Sequence, residues 1–208
     1  MNLNRDQESV MNWLNRLIVA LAAATISAAS MGDEWLRSIP EFELTDHLGE
    51  VHTLESYESY DYVVFYVQGV GCPIARIALP NYRAVRDEFA DRNIEFTMFN
   101  SNIQDNLPRI AKEAGEFGID FPIMKDEGQH LAKALGVERT AEVFIVNPRT
   151  REVLFRGPIN DQLGYETQRN EASEHYLKDA LNTVLAGGVV NMDDIPDSKG
   201  CLVAIFDT

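Results

Sequence analysis

The stretch YVVFYVQGVGCPIARIALP, residues 62–80, decides the fold, because two hydrophobic patterns meet there at one cysteine. Its first six residues are an unbroken run of β-branched and aromatic side chains, which predicts a strand covered on both faces. From Ile74 to Phe89, apolar residues recur at steps of three and four, which predicts a helix. Cys72 is therefore expected between a buried strand and the start of a helix.

This position favours a reactive thiol. Pro73 suits the first turn of a helix, where its missing N–H is not needed. The Cys72 sulfur is then expected at the positive end of the helix dipole, which stabilises the thiolate. Gly71 allows close approach of a ligand, and Arg76 can add positive charge one turn further on. The alternative is that Cys72 is a small buried hydrophobic residue.

Strands and helices are predicted to alternate along the rest of the chain. Further strands are expected at 94–99, 121–124, 143–146 and 152–156, with helices at about 107–117, 128–135 and 176–185. Asp105 and Asn170 are interpreted as helix N-caps. This order predicts an α/β sandwich with a central mixed sheet.

Composition excludes several classes of function. The 208 residues carry a formal net charge of −15, and an acidic chain of this kind repels nucleic-acid backbones. The chain has two cysteines, and no CxxC pair or HExxH motif indicates a zinc module. The four histidines stand at no metal-ligand spacing (His47, His52, His130 and His175). Neither a metal site nor a cofactor is predicted from these patterns.

The N-terminal segment has the parts of a secretory signal. Arg16 precedes the uncharged run LIVALAAATISAA at 17–29, and small residues follow it. Thirteen apolar residues are too few to span a bilayer core of about 30 Å. Residues 1–30 are therefore predicted to direct export to the periplasm or the extracellular space, with Met11 as an alternative start. The competing interpretation is a buried or partner-binding helix.

Several segments together resemble the thioredoxin-fold AhpC/TSA redoxin family, in its peroxiredoxin-like branch with a single active-site cysteine. Residues 71–80 resemble the active-site helix, and 136–146 resemble the cis-proline loop with its following strand. The other matching segments are the opening hairpin at 42–49, Phe155–Asp161, Val184–Gly187 and Gly200-Cys201. The resemblance implies a thioredoxin-like domain at 31–190 and a C-terminal segment at 191–208 that carries Cys201.

The chain departs from the family pattern at four positions, one of which is Phe65, where peroxiredoxins have a proline seven residues before the cysteine. Ala75 occupies the resolving position of a CxxC motif, so the two-cysteine thioredoxin cycle is not available. Gly69 replaces the threonine or serine that peroxiredoxins have three residues before the cysteine. Ala141 occupies the cis-proline position, where its small side chain leaves room for another ligand. Most of the peroxide-activating pocket is therefore expected to be missing.

The resemblance implies thiol-based redox chemistry with Cys72 as the nucleophile. Its substrate would be a protein disulfide or a peroxide, and Cys201 could resolve the intermediate. Arg139, Thr140 and Glu142 lie in the loop expected beside Cys72, where the two charged residues could tune its pKa or form a surface ion pair. Two further uses of the cysteines remain open, a soft-metal site such as Cu(I) and a permanent disulfide. The alternative functions are a copper-handling protein, with a copper enzyme as its partner, and a non-catalytic partner-binding module.

Overall fold

The computed structural model describes residues 38–164 and 168–206. A five-stranded mixed sheet lies at its centre, in the order β5-β4-β3-β6-β7. β3 pairs with β4, and β4 with β5, in parallel. β6 pairs antiparallel with both β3 and β7. These strands are β3 (Tyr62–Val67), β4 (Ile94–Asn100), β5 (Ile123–Lys125), β6 (Val143–Val146) and β7 (Val153–Gly157). The predicted strands are confirmed, and the segment that contains Pro122 does form an edge.

Helices cover both faces of the sheet, as the two-sided burial of β3 requires. Val64 and Tyr66 face one core, which includes α1 (Pro73–Glu88), α2 (Leu107–Glu116) and α4 (Tyr176–Leu185). Val63, Phe65 and Val67 face the other core, which includes α3 (His130–Leu135). The α/β sandwich is therefore confirmed, and it positions the β3–α1 junction at the carboxyl end of the central strand.

A separate hairpin precedes the sheet. Its strands β1 (Glu43–Thr45) and β2 (Val51–Thr53) pair antiparallel, as the opening segment predicted. The Asp46 carboxylate accepts hydrogen bonds from the backbone N–H groups of Leu48 and Glu50, at 2.8 and 2.9 Å. These bonds close the turn.

Two predicted helix caps are wrong. Asn106 caps α2, since its side chain accepts the N–H of Arg109, while Asp105 points inward and is buried. His175, not Asn170, precedes α4. Asp105 and Asn106 are both good capping residues, so the sequence alone could not decide which of them faces the helix.

The segment 200–206, called the tail below, packs against the same domain. It runs antiparallel to residues 138–140, with a bridge between Arg139 and Leu202. The N–H of Val203 donates to the Glu138 carbonyl at 2.9 Å, and the Thr140 N–H donates to the Cys201 carbonyl at 2.9 Å. This pairing brings the second cysteine to the β3–α1 junction. The predicted export signal lies outside the described residues.

Candidate active site

Cys72 occupies the position immediately before α1, as the sequence predicted, with Pro73 in the first turn. Three backbone N–H groups around it are already bonded. Val70 N donates to the Asp105 carboxylate at 3.0 Å, Gly71 N to the Glu113 carboxylate at 3.0 Å, and Cys72 N to the Gly69 carbonyl at 3.2 Å. Gly71 has a φ of 80°, a conformation that glycine adopts without strain. The loop before the cysteine is thus held by two buried carboxylates.

Neither carboxylate was singled out from the sequence as part of the site. Glu113 is 4% exposed and binds the Arg76 guanidinium through two hydrogen bonds, at 2.7 and 3.0 Å. A signal for it was present, because Glu113 falls between Ile110 and Ala114 on the apolar face of the predicted helix. A charged residue on a buried helix face needs a partner, and here the partners are Gly71 and Arg76.

The Cys72 thiol has polar neighbours although it is buried. Its Sγ lies 3.0 Å from the Thr140 hydroxyl, and the Cys201 thiol is also adjacent. Burial alone would raise the pKa of Cys72. The interactions with the Cys201 thiol, the Thr140 hydroxyl and the Ala75 N–H outweigh burial and hold that pKa below its usual value.

Cys201 has the opposite electrostatic character. Partial burial and the negative charge of the neighbouring Cys72 thiolate raise the pKa of Cys201 to about 11. Both thiols are free in the structure. Because the two sulfurs are neighbours with opposite pKa shifts, one is suited to attack and the other to remain protonated beside it.

Cys72 is a buried residue in this state of the protein. Cys72 is only 4% exposed, whereas Cys201 belongs to the exposed residues. Cys72 packs in the core, and the tail lies beside it, since Cys72 Sγ and the Cys201 N–H both contact the Thr140 hydroxyl. The sequence did not place the tail at this junction.

Thr140 connects the tail to Cys72. Its hydroxyl accepts a hydrogen bond from the Cys201 N–H at 2.9 Å, while the same oxygen faces the Cys72 sulfur. Because the Thr140 oxygen accepts the Cys201 N–H, the hydroxyl can donate its own proton to the Cys72 thiolate. The docked tail therefore orients the group that stabilises the thiolate.

Two glycines allow this close packing. A Cβ at Gly200 would lie 1.7 Å from the Thr140 carbonyl oxygen. A Cβ at Gly69 would lie 2.6 Å from the Thr140 methyl group and 2.8 Å from the Asn102 amide nitrogen. Neither position has space for a side chain.

The expectation of spare room at Ala141 needs revision. Ala141 has a φ of 61°, and its N–H donates to the Val67 carbonyl at 2.8 Å. The residue is buried, and the neighbouring loop positions Thr140, not a vacant ligand site, beside the sulfur.

The other charged residues named from the sequence have partners of their own. Arg76 pairs with Glu113 and stacks on the Phe117 ring at 4.0 Å. Glu142 is buried and accepts from Arg156 at 2.6 Å, and Arg139 donates to the Gly200 carbonyl at 3.2 Å. Glu142 therefore faces Arg156 and not the thiols, while Arg139 helps to hold the tail.

The described part of the chain offers neither a cluster of metal ligands nor a helix that could span a membrane. Residues 38–164 and 168–206 contain no group of three or more cysteine, histidine or acidic side chains that could hold a metal ion. Within the same ranges, no helix combines the length and the apolar character that crossing a bilayer requires.

Solved structures of several proteins share this fold. A hypothetical protein from Sinorhizobium meliloti 1021 is 23% identical with a TM-score of 0.66, covering 83% of this chain and 94% of its own. An uncharacterized conserved protein from Geobacillus kaustophilus is also 23% identical, with a TM-score of 0.64 and coverages of 86% and 95%. Peroxidoxin BcpB from Mycobacterium tuberculosis is 21% identical, with a TM-score of 0.53 and coverages of 72% and 94%. At such identities the likeness establishes the fold. No curated protein matches the chain.

The family is established by a separate comparison. The model of the AhpC/TSA family matches residues 36–153, which include β3, Cys72 and the Thr140 loop. This confirms the resemblance drawn from the sequence, while the single-cysteine branch stays a prediction. With its thioredoxin-like sandwich and the matched segment around Cys72, the chain belongs to the AhpC/TSA family of thiol-based redoxins.

Proposed function

We propose that this protein is a thiol–disulfide oxidoreductase in which Cys72 and Cys201 form the redox pair. The observation that carries the proposal is the contact between the two free thiols, one with a lowered pKa and one with a raised pKa. A thiolate at neutral pH is the attacking species in disulfide exchange. Cys72 has that character, and Cys201 lies where a resolving thiol is needed.

The reaction has two steps. The Cys72 thiolate attacks one sulfur of a substrate disulfide, forming a mixed disulfide, and the other substrate sulfur leaves as a thiolate that takes a proton from water. Cys201 then loses its proton and attacks Cys72 Sγ, which forms the Cys72–Cys201 disulfide and releases the second substrate thiol. The substrate gains two electrons, the protein loses two, and an external dithiol reductant restores the reduced pair.

A disulfide is favoured over a peroxide as the substrate, because the backbone N–H groups around the Cys72 thiol are already hydrogen-bonded. A peroxide needs hydrogen-bond donors beside the sulfur to stabilise its departing oxygen. The N–H groups of Val70, Gly71 and Cys72 are already donated to Asp105, Glu113 and Gly69. Gly69 also provides no hydroxyl where the family's peroxidases have one. The site therefore suits sulfur exchange better than peroxide cleavage.

Single-turnover oxidation tests this proposal. Reduced wild-type protein is mixed with glutathione disulfide, quenched with an alkylating reagent and analysed by peptide mass. We expect wild type to end as the Cys72–Cys201 disulfide and Cys201→Ser to accumulate glutathione on Cys72. Cys72→Ser should react at least about 100-fold more slowly, because the low-pKa nucleophile is lost.

Three results would contradict the proposal. One is oxidation of Cys72→Ser at the wild-type rate. Another is a Cys72–Cys201 disulfide that dithiothreitol does not reduce in the native protein, which would indicate a permanent cross-link. The third is faster consumption of hydrogen peroxide than of glutathione disulfide by the wild type.

We also propose that the reaction takes place outside the cytoplasm. The support is the apolar run at 17–29, preceded by Arg16 and followed by small residues. The N-terminal sequence of protein recovered from the exported fraction tests this. A sequence beginning near Met31 is expected, whereas an intact N-terminus on protein found only in the cytoplasm would contradict export.

A further inference from the structure

We propose that the tail stands in for a protein substrate, and that residues 138–140 bind an extended partner segment in its place. The segment would carry a cysteine directly preceded by glycine. This inference rests on the proposed function, because it specifies which disulfides Cys72 attacks. It follows from how the tail is bound, from the position of Cys201 and from the space at Gly200.

The tail is held largely through backbone atoms. Thr140 N donates to the Cys201 carbonyl, Val203 N donates to the Glu138 carbonyl, and the Cys201 N–H bonds the Thr140 hydroxyl. None of these bonds uses a tail side chain. Another extended chain offers the same N–H and C=O groups, so the surface can accept a partner strand by β-addition.

The register of the pairing sets where a partner's sulfur would lie. The tail places Cys201 next to Cys72, because the Cys201 N–H and the Cys72 sulfur both contact the Thr140 hydroxyl, at 2.9 and 3.0 Å. A partner cysteine in the same register would bring its sulfur to the same point, within reach of the Cys72 thiolate. Residue identity is tested directly before the cysteine but not directly after it, because Gly200 is buried whereas Leu202 is 72% exposed.

Gly200 gives the selectivity. With a Cβ only 1.7 Å from the Thr140 carbonyl oxygen, any residue other than glycine at this register would displace the strand. The contact involves backbone of Thr140, which cannot move aside as a flexible side chain would. The surface therefore discriminates for glycine before the cysteine and tolerates variation after it.

The tail and a partner segment cannot both bind residues 138–140 at the same time, and this competition fits the two steps of disulfide exchange. The partner strand displaces the tail while Cys72 attacks its sulfur and expels the other half of the disulfide. When the tail returns, Cys201 reaches Cys72 Sγ and releases the partner as a thiol. The same binding surface thus serves attack and resolution in turn.

Paired peptides test this inference on the full-length Cys201→Ser protein. The probes are the peptides Lys-Gly-Cys-Leu-Val-Ala and Lys-Ala-Cys-Leu-Val-Ala, each activated as a mixed disulfide with thionitrobenzoate. The released thionitrobenzoate gives the rate at Cys72, normalised to the rate of each peptide with free glutathione. We expect the glycine peptide to react at least about tenfold faster, since the alanine peptide meets the Thr140 backbone.

Tail variants in the same background give the second measurement. Gly200→Ala and Val203→Pro each weaken tail docking, the first by steric conflict and the second by removing the N–H donor to Glu138. Both variants should raise the rate at which the glycine peptide reacts with Cys72 several-fold, because the competing tail is released. Circular dichroism checks that each variant is folded, and having two variants allows for the failure of one.

The outcomes separate the two proposals. If Cys72 reacts with neither peptide nor glutathione disulfide, the proposed function itself is wrong. If Cys72 reacts with glutathione disulfide but accepts both peptides at the same normalised rate, the tail-mimicry inference alone is overturned. Equal peptide rates in folded tail variants and in the parent protein would also overturn it.

Discussion

Cys72 and Cys201 are neighbours in space, but the segments that carry them are held in different ways. Cys72 follows a fully buried strand, and its loop is anchored by the carboxylates of Asp105 and Glu113. The tail is held by a few backbone bonds and by Gln129, and Val203 is its one side chain in the core. Cys72 is thus fixed by buried side chains of the domain, whereas Cys201 lies on a segment held mainly through its own backbone atoms.

The largest expected effect is at Ala141, in the loop between these two regions. Ala141→Pro should destabilise the protein by about 3 kcal/mol or more, because proline fixes φ near −65° and removes the N–H bonded to Val67. Ala141→Gly is the control and should stay within about 1 kcal/mol of wild type, since glycine adopts positive φ readily. Urea unfolding measures both. A stable proline variant would show that the loop does not need the observed conformation.

The next effect is on the anchored side. Glu113→Ala should lower the free energy of unfolding by about 2–3 kcal/mol, because it leaves Gly71 N and Arg76 without their buried partner. The matched change in the tail, Leu202→Ala, should shift it by no more than about 0.5 kcal/mol at an exposed position. Chemical denaturation of the two variants compares the regions directly. Similar losses from both would refute the contrast.

A smaller effect concerns the contact between the regions. Thr140→Val removes the hydroxyl beside Cys72 Sγ and should raise the pKa of Cys72, since the thiolate loses a hydrogen-bond donor. The rate of Cys72 alkylation at pH 7 should fall by about 3- to 10-fold. Thr140→Ser retains the hydroxyl and should keep the wild-type pH profile. Identical pH profiles for the valine and serine variants would show that the Thr140 hydroxyl does not stabilise the Cys72 thiolate.

The smallest effect is in the titration of Cys201. Partial burial and the Cys72 thiolate raise the pKa of Cys201 to about 11, so the wild-type thiol remains largely protonated at pH 9. Cys72→Ser removes the neighbouring negative charge, and the pKa of Cys201 should fall toward its ordinary value. Alkylation of Cys201 at pH 9 should therefore be faster in the variant, by severalfold. An unchanged rate would mean that burial alone sets this pKa.

Local patterns were sufficient for the elements that hold Cys72. The apolar run at 62–67 and the three-four spacing from Ile74 give β3 and α1 almost to the residue, because strong periodicity and burial agree there. Pro73 correctly marks the first turn. These features depend on neighbours in the chain, which a sequence displays directly.

Long-range contacts explain what the sequence did not reveal. Cys201 comes beside Cys72 from about 130 positions later in the chain, and no periodic pattern encodes the pairing of the tail with 138–140. Aspartate is a common helix cap, yet the Asp105 carboxylate accepts a hydrogen bond from the N–H of Val70, which lies in a different segment. The contacts of Glu142 with Arg156 and of Arg139 with the Gly200 carbonyl likewise depend on tertiary packing, which the sequence does not display.

The close approach of Thr140 to Gly69 has an evolutionary consequence. A hydroxyl-bearing residue at position 69 would place its Cβ 2.6 Å from the Thr140 methyl group and 2.8 Å from the Asn102 amide nitrogen. A single mutation at position 69 therefore does not fit, and a smaller residue at position 140 and a shift of Asn102 would have to come first. Because the change at position 140 alters the contact with Cys72, positions 69 and 140 are expected to evolve as a linked pair.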